Sequence, residues 1–121
     1  MNITVLGAGA WGTALAIHFA KQHHQVRLWA RDTEHVLQMK QSRSNVRYLD
    51  GFAFPPQLTL ETDLQAAISA TELVLIATPV AGLRPTLEKI GPHIHADLPI
   101  MTACKGFEVS TGKLPHQVVA D

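Results

Sequence analysis

Apolar residues fall into short blocks along this chain, and their spacing changes from block to block. "NITVLG" (residues 2–7) is a β-branched apolar run closed by glycine and predicts a buried strand. Residues 11–21 carry Ala14, Leu15, Ile17, Phe19 and Ala20 with little polar interruption, which predicts a helix whose small residues let it lie close on a sheet. "HHQVRLWAR" contains a second strand over residues 26–30. "DTEHVLQMKQ" opens on Asp32, a favoured N-cap, with Glu34 in the first turn and Val36, Leu37 and Met39 as a short apolar face. Residues 43–57, "RSNVRYLDGFAFPPQ", have no clean period and contain Gly51, Pro55 and Pro56, so a loop is expected there. A third strand is expected at 58–62, a short helix at 63–70, and a strongly apolar strand at 72–79. "GLRPTLEKIGP" then predicts a helix with Pro85 in its first turn, and residues 98–104 a fifth strand.

Strand and helix alternate throughout, which implies an α/β fold: a doubly wound parallel sheet covered by helices on both faces. The 121 residues are one domain's worth, and a 46% hydrophobic content is enough for a core. Ten basic residues balance ten acidic ones, which argues against bulk affinity for nucleic acid or an anionic membrane while leaving room for a local anion site. The single cysteine, Cys104, excludes an internal disulfide and fits a reducing compartment. No apolar run reaches the ~20 residues of a spanning helix, and "MNITVLGAGA" lacks a basic leader, so a cytoplasmic location is expected. "LPHQVVAD" reads as the opening of a helix near Leu114 and Pro115 that stops uncapped at Asp121, which suggests a fragment of a longer protein.

The candidate chemistry starts at "LGAGAWGTALA". Gly7, Gly9 and Gly12 form a G-x-G-x-x-G that leaves a strand, opens a helix and sits in a βαβ unit of about the expected ~30 residues. Gly7 allows the tight turn, Gly9 lets a pyrophosphate approach the backbone, and Gly12 brings helix and sheet together. The anion then meets free N–H groups at the positive end of the helix. At the end of the second strand stands "WARD". An acid there binds the ribose 2′-hydroxyl of NAD, whereas a neighbouring arginine favours the 2′-phosphate of NADP. Asp32 is taken as the helix cap, which leaves Arg31 beside the ribose and tilts the reading toward NADP or dual use; the alternative for Arg31 is an ordinary surface arginine. Lys105 and Gly106 follow the fifth strand, on the rim where open α/β sheets bind ligands. Lys105 there could hold a substrate phosphate or polarise a carbonyl, or be a surface lysine.

Together, "GAGAWGTALA", "VRLWARD", "NVRYLDGFAFPPQL", "TDLQAAI", "LVLIATP" and "CKGFEVSTGKL" resemble, in order and spacing, the amino-terminal half of the NAD(P)-dependent glycerol-3-phosphate dehydrogenases. The resemblance implies a Rossmann-type three-layer αβα domain over residues 1–121, with NADP or NAD as cofactor. It implies reversible reduction of dihydroxyacetone phosphate to sn-glycerol 3-phosphate for phospholipid synthesis. Ala10 and Trp11 would line the dinucleotide beside Gly9, and Arg31 would face the adenosine ribose or its phosphate. Lys105 would contact substrate and cofactor, and Tyr48 would lie near the cofactor. Two residues depart from the family pattern. Ala10 stands where serine is common, which removes a hydroxyl contact, and Asp50 where proline is common, which should loosen that segment. Family members carry a second, helical domain with the lysine that protonates the developing alkoxide. These 121 residues are therefore expected to bind NADPH weakly and turn over nothing. A homodimer is one assembly left open for the whole protein.

Other two-domain dehydrogenases, of the 3-hydroxyacid or ketopantoate reductase type, and a non-enzymatic nicotinamide-sensing domain are the alternatives. The seven histidines, including His23–His24 and His93–Ile94–His95, lack partners at metal-ligand spacing, so no metal site is expected. Trp29 continues the apolar run of its strand and reads as packing. Glu108, Ser110 and Thr111 have no histidine at triad spacing, which leaves hydrolase chemistry without support.

Overall fold

The computed structural model describes residues 1–78, 85, 86, 88 and 98–102. Its elements are β1 (Asn2–Leu6), α1 (Ala10–Lys21), β2 (Gln25–Trp29), α2 (Thr33–Ser42), β3 (Ser44–Asn45), β4 (Leu49–Ala53), β5 (Leu58–Glu61), α3 (Leu64–Ile68), β6 (Leu73–Ile76) and β7 (Ile100–Thr102). Five strands form one sheet in the order β5-β2-β1-β6-β7, and every pair is parallel. The chain therefore winds outward from β1 through β2 to β5, then crosses β1 to lay down β6 and β7. Leu6 is in register with Trp29 on one side and Ile76 on the other, so three carboxyl ends are level where the strand order reverses. That reversal opens the crevice in which doubly wound sheets bind ligands.

Period-two alternation sorts the strands' side chains onto two faces. Ile3 and Val5 of β1 join Ala16, Ile17 and Ala20 of α1 and Val36 and Met39 of α2 in one cluster. Leu6 of β1, with Val74 and Ile76 of β6, packs with Ala67 and Ile68 of α3 in the other, where Trp29 also lies. Trp29 is packing, as expected, and its Nε1–H donates to the Thr62 carbonyl at 3.2 Å. Arg27 breaks the apolar run of β2 because α3 needs it. Its Nη1 donates to the carbonyls of Ala66, Ala67 and Ser69 at that short helix's C-terminal end.

Asp32 caps α2 and Asp63 caps α3, each carboxylate accepting from the first-turn backbone. Among the described residues the strand and helix boundaries fall within a few residues of expectation, with α3 shorter at both ends. The expected loop at residues 43–57 is corrected. β3 and β4 pair there as an antiparallel hairpin, bulged between Ser44 and Asn45. Its base is pinned by Arg43, a left-handed C-cap (φ 52°) whose Nη2 donates to the Pro55 carbonyl at 2.8 Å. The Arg43 carbonyl accepts from the Phe54 N–H at 2.7 Å. Pro85, Thr86 and Glu88 are helical. The rest of that expected helix, Cys104, Lys105 and the helix expected near Leu114 lie outside the described residues. Among the described residues no helix is long and apolar enough to cross a membrane, and no three His, Cys, Asp or Glu could share a metal ion.

Candidate functional site

The three glycines of the first turn meet different surroundings. Gly7 has φ +114°, and a Cβ on it would lie 2.9 Å from the Ala77 carbonyl carbon and the Thr78 nitrogen. Its N–H donates to the Trp29 carbonyl, while the Ala77 N–H donates to the Leu6 carbonyl, both at 2.8 Å. The turn is thus fastened to the strands on both sides of β1. A Cβ on Gly12 would sit 2.1 Å from the Gly7 carbonyl oxygen and 3.0 Å from the Ala77 Cβ, so the first turn of α1 rests directly on the turn beneath it. Gly9 differs from both. Its backbone is ordinary extended chain (φ −74°, ψ −175°), and a Cβ there would find nothing within 4 Å among the described residues. Neither backbone strain nor packing against the described residues requires glycine at this position, so there is room at it for a group from outside these residues.

Gly9 is the N-cap of α1, with no side-chain cap bond and no acidic residue in the first turn. A helix leaves its first N–H groups unpaired, and here no carboxylate offsets the positive end. Ala10 and Trp11 follow, both exposed, the indole at 53% although tryptophan is usually well covered. The Thr78 hydroxyl, at the neighbouring end of β6, is buried with no hydrogen-bond partner among the described residues. A bare backbone facing open space, an uncapped helix start and an orphaned hydroxyl nearby fit an anionic group such as a diphosphate.

The next strand end supplies the charge. Asp32 is engaged through both oxygens. Its Oδ1 accepts from the N–H groups of Glu34 at 3.1 Å and His35 at 3.3 Å, and its Oδ2 pairs with Arg47 Nη1 at 3.2 Å. The His35 N–H, followed by Arg47, holds this carboxyl below its usual pKa, and Asp32 in turn raises that of Arg47. Arg31 is exposed and has no hydrogen bond or ion pair among the described residues.

The hairpin approaches from the side. Tyr48 is 52% exposed, its ring edge-on to His35 at 5.4 Å and the Arg47 guanidinium 6.0 Å from its centre. Gly7, Gly9, Ala10, Trp11 and Gly12 therefore share one turn at the end of β1, and Arg31 follows the adjacent strand. Tyr48 joins them through Asn45, a buried residue whose side chain reaches the glycine turn. Lys105 lies outside the described residues. Asn45, His35 and Arg47 carry no signal in the sequence. A polar residue inside an aperiodic stretch looks solvated, and an ion pair fifteen residues apart follows no helical spacing.

Residues 2–121 match the family described as NAD-dependent glycerol-3-phosphate dehydrogenase N-terminus. The chain is 52% identical over its whole length to a glycerol-3-phosphate dehydrogenase [NAD(P)+] of Nitrosomonas eutropha, and 46% identical to one of Dechloromonas aromatica. It spans 36% of the length of each. Among solved structures, the glycerol-3-phosphate dehydrogenase of Coxiella burnetii superimposes on 98% of the chain with a TM-score of 0.93 and 36% identity, over 36% of its own length.

Proposed function

The chain belongs to the family of NAD-dependent glycerol-3-phosphate dehydrogenase N-termini, and from that membership we propose that it is the cofactor-binding part of an enzyme interconverting dihydroxyacetone phosphate and sn-glycerol 3-phosphate. The observation that supports this most is the space that the described residues leave open in front of Gly9, at the uncapped start of α1. The diphosphate of a dinucleotide lies against the backbone of Gly9, Ala10, Trp11 and Gly12. The exposed indole of Trp11 offers a flat apolar wall beside it. Arg31 faces the adenosine ribose, with Tyr48 at the edge of the same subsite. Lys105 contacts both cofactor and substrate.

When bound, the dinucleotide supplies the hydride that adds to the C2 carbonyl. This chain's residues bind and orient it. The lysine that protonates the new alkoxide belongs to the helical domain that family members carry beyond the cofactor domain. Three of the Asp32 carboxylate's four acceptor sites are taken by backbone N–H groups and Arg47, which weakens its claim on a ribose 2′-hydroxyl. Unpaired Arg31 suits a 2′-phosphate, so NADPH is the favoured cofactor over NADH. The partner is a small phosphorylated substrate and the setting is the cytoplasm.

Calorimetric titration of the chain with NADPH and NADH tests this reading. Saturable binding with NADPH tighter is expected, and equal affinities would remove the role of Arg31. No binding by either would remove the site. Dihydroxyacetone phosphate reduction by these residues alone would overturn the assignment of the proton donor to another domain.

A further inference from the structure

We propose that Asn45 is a positioning residue for this site, locking the glycine turn and the hairpin into one frame; the inference rests on the nucleotide-binding reading above. Asn45 is wholly buried, as is Thr13, and His35 is 4% exposed. The Asn45 Nδ2 donates to the Ala8 carbonyl and to Thr13 Oγ1, each at 2.8 Å. Its Oδ1 accepts from the Tyr48 N–H at 3.2 Å and lies 2.9 Å from His35 Nε2. A carbonyl can only accept and a backbone N–H can only donate, so Ala8 and Tyr48 together fix which end of the amide is which. It follows that His35 Nε2 carries a hydrogen and donates it to Asn45. Both donors and both acceptor sites of the amide are then in use.

The four partners come from three stretches of chain. Ala8 lies between Gly7 and Gly9, and Thr13 directly follows Gly12. His35 sits in the first turn of α2, above the Asp32 cap, and Tyr48 lies between β3 and β4. The amides at the diphosphate end and the groups at the ribose end, Arg31, Arg47 and Tyr48, are thus held in register by one side chain that touches no ligand. A dinucleotide must engage both ends at once. Its affinity therefore scales with the fraction of molecules in which the ends are correctly spaced. A ligand that reaches only one end gains nothing from the tie.

This asymmetry separates positioning from simple stabilisation. Asn45→Asp, of the same shape, replaces a donor with an acceptor facing the Ala8 carbonyl. Thr13→Val removes one leg of the tie, and Thr13→Ser keeps the hydroxyl. Each variant is titrated with NADPH and with adenosine 2′-monophosphate at a temperature where circular dichroism shows it folded. Asn45→Asp and Thr13→Val are expected to lose about tenfold in NADPH affinity, the effect of one hydrogen bond's worth of preorganisation. Binding of the half-ligand should stay within about twofold, and Thr13→Ser should match the unaltered chain. If Asn45→Asp does not fold, Thr13→Val carries the comparison. In the unaltered chain, nitrogen-edited NMR should show a slowly exchanging His35 Nε2–H that shifts when NADPH is added. Unchanged NADPH affinity in a folded variant, or equal losses for both ligands, overturns the proposal. An unaltered chain that binds neither ligand overturns the nucleotide reading instead.

Discussion

In the turn of residues 7–12, backbone meets backbone. The carbonyl of Gly7 lies under Gly12, the chain leaving β6 lies against Gly7, and hydrogen bonds run to Trp29 and from Ala77. In the hairpin of residues 44–53, side chains do the equivalent work. Asn45 reaches Ala8 and Thr13, and Arg47 reaches Asp32, while Val46, Tyr48 and Phe52 face outward at about half exposure. The first region tolerates no added atom at Gly7 or Gly12. The second has room but depends on particular functional groups. A site assembled from both should fail differently in each half: by steric clash in the turn, and by lost charge and hydrogen bonding in the hairpin.

The largest expected effect is Gly12→Ala. Alanine is the better helix former, by roughly 1 kcal/mol in a helix interior. Here its Cβ would sit 2.1 Å from the Gly7 carbonyl oxygen, a backbone atom that cannot rotate aside. Relief requires moving α1 off the sheet, at or above the upper end of the about 1–3 kcal/mol typical of overpacking, so the clash outweighs the propensity gain. Urea unfolding should show the midpoint falling sharply. An unchanged midpoint would mean that α1 does not rest on the turn.

Gly9→Ala should divide stability from binding. No described residue lies within 4 Å of the new Cβ, and the backbone there is one any residue adopts. The stability cost is then no more than about 1 kcal/mol, the preference for Gly over Ala at an N-cap. NADPH affinity should fall by at least about tenfold, because the methyl group occupies the space a diphosphate needs. Thermal melts paired with nucleotide titration measure both quantities. A variant that binds NADPH like the unaltered chain would show that the bare backbone at Gly9 serves no ligand.

The same contrast explains what could be read before the fold was known. A turn that excludes Cβ atoms must be written in glycine, so Gly7 and Gly12 announce it at fixed spacing, with Gly9 between them. Asp32 likewise announces a helix start, because capping is a local interaction. The parallel strands were legible because burial on both faces produces unbroken apolar runs such as "LVLI" in β6. The hairpin was not, because among its described side chains only Asn45 and, just past its end, Phe54 are buried, with no alternation. Its place is set by contacts to Ala8, Thr13 and Asp32, distant in sequence. Asn45 thus reads as one polar residue among many, and only the fold reveals that every one of its hydrogen-bonding positions is filled. Arg27 was legible as part of a strand but not as the group that closes α3, for the same reason.

The smallest effect belongs to the link between the two regions. Asp32 is exposed, and its carboxyl is held below the ordinary value of 3.8 by the His35 N–H first and Arg47 second. A lowered folded-state pKa means that the folded chain binds this proton less readily than the unfolded one. The stabilisation is therefore complete above the unfolded pKa and is lost as pH falls through the folded pKa. The window lies below 3.8 and not near neutrality. Asp32→Asn keeps an acceptor for the α2 cap, since asparagine caps as well as aspartate, but gives up the charge facing Arg47. Melting temperatures of the two proteins, followed from about pH 6 down to about pH 2, should differ slightly at the upper end and converge at the lower. Added salt should shrink the difference, because both partners are solvated. Freed from Asp32, Arg47 becomes a second unpaired cation beside Arg31. The variant should then shift further toward NADPH over NADH, and an unchanged ratio would place Arg47 outside the ribose subsite.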